Sequence, residues 1–404
     1  MLKLLILADD LTGALDSGVQ LTNKGYTVQV CTDFNDAFEY TDLYDVLVID
    51  TESRHISSES AYDLIHFLAK KAINLGFEHI YKKTDSGLRG NVGSELSALR
   101  DATKQKVLNF VPAYPKLNRI TKNGIHYVNG VPLAESVFAN DVLDPVTVSS
   151  VEELIHLQSD VKVSKNETDG IIVHDCESDP EMNLIAKKIF NEGKYPISAG
   201  CAGLLEAFPI NPNKQDNKDS VCLNENLIVI TGSMNEVSLN QIDHAEKKGA
   251  TRHHAPMNLI VNEKWSESDI DVYTEALVRD ITPSTTIILD TQQSFEIEQP
   301  ISSDQIGKII AKCMGLLVYK MILKFPDYTF MIIGGDTLHG FMQELGIHSL
   351  SPVKEIVPGV VLAKYVYKEK EHYLVTKSGA FGSDNLIAQV ESFIKKESRK
   401  SICH

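Results

Sequence analysis

A chain of 404 residues is too long for one ordinary core and calls for two domains. With 43% hydrophobic and 23% charged residues it reads as soluble and globular, with little disorder. Its 39 basic against 55 acidic side chains give a formal charge of −16, which repels polyanions and acidic lipid at long range. Nucleic-acid and membrane partners are therefore disfavoured, while a few local cations can still collect a small anion.

The N-terminal MLKLLILADD has an apolar run of only four residues, Leu4 to Leu7, before Ala8 and two aspartates. That is too short for a signal peptide or a membrane span and predicts a buried strand. Further short apolar runs predict strands at Thr27–Cys31, Val46–Asp50, His79–Lys82, Val107–Val111, Gly170–His174 and Tyr195–Ser198, with helices at Ser58–Asn74 and Gly93–Thr103 between them. The polar, Pro-containing Asn211–Ser220 reads as a linker. After it come LIVITGS, a helix over Val237–Lys248, TTIILD, a helix over Asp304–Lys324 and TFMIIGGDT. The alternation predicts an α/β fold: two α/β domains with mostly parallel sheets and a ligand cleft between them, residues 1–212 and 225–404 joined by 213–224. Six cysteines, at positions 31, 176, 201, 222, 313 and 403, include no C-x-x-C pair and read as reduced thiols of a cytoplasmic protein.

Strand carboxyl ends are where open α/β sheets bind ligands, and several here end in polar clusters. In LLILADDLTGALDSG, Asp9 and Asp10 could accept the hydroxyls of a polyol or act as a base, with Thr12, Gly13 and Asp16 following; the plain alternative is that Asp10 or Thr12 only caps the helix. In YKKTDSGLRGNVGSEL, Lys82, Lys83, Asp85, Ser86 and Arg89 lie among glycines, a loop suited to a carboxylate or phosphate; the alternative is a solvated glycine-rich turn. The stretch from Pro112 to Val146, rich in Pro, Asn and Gly, reads as a long binding loop in which Arg119 faces the substrate and His126 is an ordinary loop histidine.

In the second half ITGSMNE, MIIGGDTLHG and TKSGAFG each follow an apolar run and expose Gly, Ser or Thr amides, the kind of surface that cradles phosphates without a Walker lysine. Each alone could be a plain turn. No G-x-x-x-x-G-K-[ST], G-x-G-x-x-G turn, H-E-x-x-H or G-x-S-x-G is present. A dehydrogenase acting on the same kind of ligand would need the missing dinucleotide fingerprint, and a two-domain sensor would not need the second-half loops.

ADDLTGALDSG, YKKTDSGLRGNVGSEL, PAYPKLNR followed by NGVPLAES, TGSMNEVSLNQ, GGDT, PGV and KSGAFG occur in this order, and over nearly its whole length the chain resembles the four-carbon acid sugar kinases. The resemblance implies an N-terminal sugar-acid-binding domain, a C-terminal nucleotide-binding domain, and formation of the 4-phosphate of threonate, erythronate or 3-oxo-tetronate from ATP with Mg²⁺. It also implies ATP contacts at Ser233, Gly334, Gly335, Asp336, Thr337 and Gly379. On the sugar-acid side it implies Asp9, Asp10, Arg89 and Arg119, beside which Asp16, Lys83, Asp85 and Ser86 are the expected substrate-binding neighbours. Asp9 or Asp10 is expected to serve as the base; Asp336 is either a metal-side ligand or the base itself. The chain departs from the family pattern at Gly87, where threonine is common, and at Asn140 to Val142, where some members carry His-Pro; both fall in substrate-side loops and leave the acid's identity open. Homodimerisation is likewise left open.

Overall fold

The computed structural model describes residues 2–141, 144–164, 169–191, 196–211, 221–233, 235–280, 286–291, 295–298, 301–379 and 381–401. Val142, Tyr195, most of the expected linker and Cys403 lie outside them. The chain divides into two compact units, Met1–Asp216 and Asn217–His404.

In the first unit the strands are β1 (Leu4–Ala8), β2 (Val28–Cys31), β3 (Val46–Asp50), β4 (His79–Lys83), β5 (Val107–Val111), β6 (Arg119–Lys122), β7 (Ile125–Val128), β8 (Val131–Pro132), β9 (Val163–Ser164), β10 (Gly170–Val173) and β11 (Ile197–Gly200). The main sheet runs β2-β3-β1-β4-β11-β5-β10-β9, every pair parallel. β1 is apolar throughout and β3 nearly so, as expected for strands whose two faces are both covered by helices. Around it lie α1 (Leu11–Thr22), α2 (Ser58–Asn74), α3 (Val92–Thr103), α4 (Val151–His156), α5 (Asp179–Ala186) and α6 (Ala202–Glu206). Leu5, Leu7, Ile49, Ile65, Leu68, Leu96 and Leu99 meet in its core. Each such fully buried side chain is worth about 1.5–3 kcal/mol.

The stretch expected as a long loop is instead largely ordered: β6, β7 and β8 form a separate antiparallel ribbon. Two Asn-Gly pairs make its hairpin turns, with φ of 53° and 77° at Asn123 and Gly124 and 52° and 80° at Asn129 and Gly130. Positive φ at both central residues is the type I′ turn, whose twist matches paired strands.

The second unit has β12 (Asn226–Thr231), β13 (Thr251–Ala255), β14 (Ile287–Thr291), β15 (Tyr328–Ile333), β16 (Ser349–Val357), β17 (Val360–Tyr367) and β18 (Lys370–Lys377). The order β13-β14-β12-β15-β18 is parallel, and β17 then β16 continue antiparallel from β18. Its helices are α7 (Glu236–Lys247), α8 (Met257–Val261), α9 (Glu267–Asp280), α10 (Ser303–Lys324), α11 (Gly335–Leu345) and α12 (Leu386–Ser401). Ser302 and Gln305 close a capping box on α10. Cys31, Cys176, Cys201, Cys222 and Cys313 are free thiols.

Candidate active site

From β1 the chain moves to β2 and β3 on one side and then returns to β4 on the other. The loops that leave β1 and β4 therefore part at their carboxyl ends, which opens a crevice there. Asp10 caps α1, its carboxylate accepting from the Gly13 amide at 3.0 Å and the Thr12 hydroxyl at 2.8 Å. The capping reading is thus correct, yet the residue stays half-buried rather than sealed. Asp9 is different: it is 3% exposed and takes Arg54 Nε at 2.7 Å. Arg54, from the turn between β3 and α2, also donates to Asp10 Oδ1 at 2.9 Å. Burial pushes the Asp10 carboxyl up, but Arg54 and then Lys83 outweigh it and leave it below the usual range.

The loop after β4 is built on Asp85, which accepts from Arg89 Nε at 2.7 Å and from the Gly87 amide at 3.2 Å. Burial opposes ionisation of Asp85, while Arg89 and Arg54 prevail and hold it well below its ordinary value. Arg89 gives a second contact to Asp141 at 2.9 Å, so its charge is matched twice. Arg119, at the start of β6, donates to the Ser86 hydroxyl. Its burial dominates, pulling it below its ordinary value despite Asp85 and Asp16. Both guanidinium groups lie over the Phe138 ring, at 5.1 and 5.4 Å from its centroid. Phe138 in turn occupies the space a side chain at position 87 would need: a Cβ there would lie 2.5 Å from the ring.

Lys83 ends β4, is buried, and among the described residues its ammonium makes no hydrogen bond or ion pair. Asp10 and Asp85 both feel its charge. Its neighbour Lys82 points the other way and pairs with Glu95 at 3.0 Å, and Glu95 accepts the Ser53 hydroxyl. His126 is no loop residue. It lies in β7, fully buried, and its Nε2 donates to the Ser86 carbonyl at 3.1 Å, which leaves Nδ1 to accept from Thr121 Oγ1 at 3.0 Å. Burial holds His126 down at about 4.

In the second unit β12 is flanked by β14 and β15, again a switch point, and the loops after β12, β15 and β18 lie side by side. The Gly232 amide donates to Thr337 Oγ1 at 3.3 Å and the Gly334 amide to the Lys377 carbonyl at 2.9 Å. Gly334 and Gly335 open α11, with Asp336 exposed in its first turn. A Cβ on Gly379 would lie 2.9 Å from Ser233 Oγ, so glycine lets the two loops approach there. Amides at a helix N-terminus beside bare backbone suit a polyphosphate.

The structure thus gathers Asp9, Asp10, Asp16, Lys83, Asp85, Ser86, Arg89 and Arg119 at one edge of the first sheet. Ser233, Gly334, Gly335, Asp336, Thr337 and Gly379 lie at one edge of the second. Sequence reasoning missed Arg54, Phe138, Glu95 and Lys377.

Comparison with known proteins agrees with this division. Residues 4–208 match the family described as sugar-binding N-terminal domain, and residues 228–387 the nucleotide-binding C-terminal domain. The chain is 28% identical over 425 residues to a D-threonate kinase of Salmonella typhimurium, covering 98% of this chain and 99% of that protein. It is 22% identical to a 3-oxo-tetronate kinase of Actinobacillus succinogenes, over 94% and 97% of the two chains. A crystal structure of a Haemophilus influenzae protein, 20% identical, shares the fold with a TM-score of 0.68 over 96% of this chain and 100% of the other. A sugar-binding unit joined to a nucleotide-binding unit, with kinases as relatives along the whole length, defines a phosphotransferase that acts on a hydroxyl group. The chain belongs to the four-carbon acid sugar kinase family.

Proposed function

We propose that the protein transfers the γ-phosphoryl group of ATP to the terminal hydroxyl of a four-carbon sugar acid such as threonate, erythronate or 3-oxo-tetronate. One observation carries the reading: at the switch point of the first sheet a half-buried ionised carboxylate, Asp10, stands beside a buried ammonium, Lys83, that makes no ion pair among the described residues and acts on Asp10 and Asp85 only through space. A hydroxyl that gives its hydrogen to Asp10 meets Lys83 as it takes on phosphate charge.

Arg119 is the residue for the substrate carboxylate, because its buried guanidinium lies beside Ser86 and over the Phe138 ring, whereas Arg89 is committed to Asp85 and Asp141 and sets the loop. Asp9 holds Arg54, and Arg54 holds Asp10 in place. ATP phosphates fit the amides of Ser233, Gly334–Thr337 and Gly379, and at Gly379 a Cβ would crowd Ser233 Oγ. Asp336 is the residue that would hold Mg²⁺, which supplies charge neutralisation to the phosphates when bound. The hydroxyl and the γ-phosphate must meet in line, a reaction that asks the protein for positioning and electrostatics more than for covalent chemistry.

ADP release measured over D- and L-threonate, D- and L-erythronate and a 3-oxo acid tests the proposal. Turnover of one of them with ATP is expected; no turnover of any, with the protein folded and ATP bound, rejects the substrate class.

A further inference from the structure

Lys377 is the last residue of β18, and its side chain runs into the interior of the nucleotide unit, 1% exposed. Its Nζ donates to the Ser238 hydroxyl of α7 at 3.0 Å and to the Gly379 carbonyl at 2.9 Å. Ser238 donates to that same carbonyl at 2.8 Å. The two donors, both on buried side chains, draw the Gly379 carbonyl inward, while Gly379 itself lies against Ser233. A carbonyl turned the other way would present negative charge to any anion seated there.

Among the described residues Lys377 has no ion pair: Glu236, Asp243 and Glu246 on α7, Asp336 on α11 and Glu391 on α12 all leave it alone, and Ser238 and Gln241, which pack nearby, are neutral. Burial by itself pulls Lys377 down to about 7. A buried ammonium without a counter-charge is costly, and it persists where a ligand completes it.

We propose that Lys377 is the phosphate-directed cation of the nucleotide unit: its ammonium fixes the Gly379 turn, and the anion held on the Ser233, Gly334–Thr337 and Gly379 loops completes its charge. The proposal rests on the kinase reading above and adds to it a residue and a proton. Above neutral pH most of the free protein carries Lys377 as the amine, so binding of a nucleotide polyphosphate draws one proton from solvent onto Nζ. The charged form is the one that binds, and its fraction falls from about one half at pH 7 to about one in a hundred at pH 9.

Calorimetric titration of the full chain with ATP at pH 8, in two buffers of different ionisation enthalpy, reads that proton directly. ATP is itself fully ionised there. Uptake of about 0.9 proton is expected. Lys377→Arg keeps a permanent charge and is expected to bind ATP without that uptake. Between pH 7 and 9 the wild-type affinity falls about fiftyfold relative to the arginine variant. ATP binding by the wild-type protein at pH 8 with no proton taken up overturns the assignment, whether or not the arginine variant folds, and leaves the kinase reading standing. Failure of the wild-type protein to bind ATP at all brings down both.

Discussion

Arg54 Nε donates to Asp9 Oδ2 over 2.7 Å, and both side chains are buried. The same guanidinium continues to Asp10, so one cation holds two adjacent carboxylates apart in role: Asp9 as its anchor and Asp10 as the group left facing the crevice. Arg54→Ala leaves a buried negative charge without a partner and is expected to cost the first unit about 3–5 kcal/mol in urea unfolding. Arg54→Lys is expected to recover part of the stability but little of kcat, since an ammonium cannot span both acids. Full activity in the lysine variant would show that the fork geometry is irrelevant.

Asp10→Asn separates capping from catalysis. Asparagine caps a helix as well as aspartate, so α1 is retained, and Arg54 keeps Asp9 as its partner. Turnover is expected to fall by about 10²–10⁴ with ATP affinity unchanged. Unaltered turnover would remove Asp10 from the mechanism.

Gly87→Thr pushes a side chain into the Phe138 ring, which supports Arg89 and Arg119. The overpacking is worth about 1–3 kcal/mol and is expected in the KM of the sugar acid, with the KM for ATP unmoved. Phe138→Ala should then rescue Gly87→Thr in part. Strictly additive effects in the double variant would show that the two residues do not compete for space.

His126 carries a pH dependence of known sign. Its folded value of about 4 lies below the ordinary 6.5 because burial disfavours the imidazolium. The unfolded chain therefore binds more protons in between, and stability that is full above pH 6.5 is lost as pH falls towards 4, by about 3 kcal/mol. Hydrogen exchange of the amides in residues 119–128, followed across that window, should show protection falling in the wild type and holding in His126→Gln.

Much of this was legible in the chain. The apolar runs that became β1, β3 and β5 could be read because strands covered on both faces need no polar alternation. Asp10 and Asp85 stood out as charges after strand ends, and Arg119 as a cation in what reads as a binding loop. Arg54 did not, because it sits in a short turn with no motif around it, and its partner Asp9 lies 45 residues away along the chain. Lys377 was hidden as the polar end of a strand, since sequence does not reveal burial. The ribbon β6–β8 is announced only by the two tight turns Asn123-Gly124 and Asn129-Gly130; its strands of two to four residues are too short to show alternation among the surrounding Pro and Asn.

The hydrogen bond from His126 to the Ser86 carbonyl joins points 40 residues apart and fastens the ribbon to the arginine-bearing loop. Because the ribbon closes its own hairpins, evolution can lengthen, trim or exchange it without disturbing the parallel framework. A change there is nevertheless felt at the Ser86 peptide, beside Arg119. On the proposed reading, selectivity among closely related acids can therefore drift through this accessory module while the second unit is inherited intact.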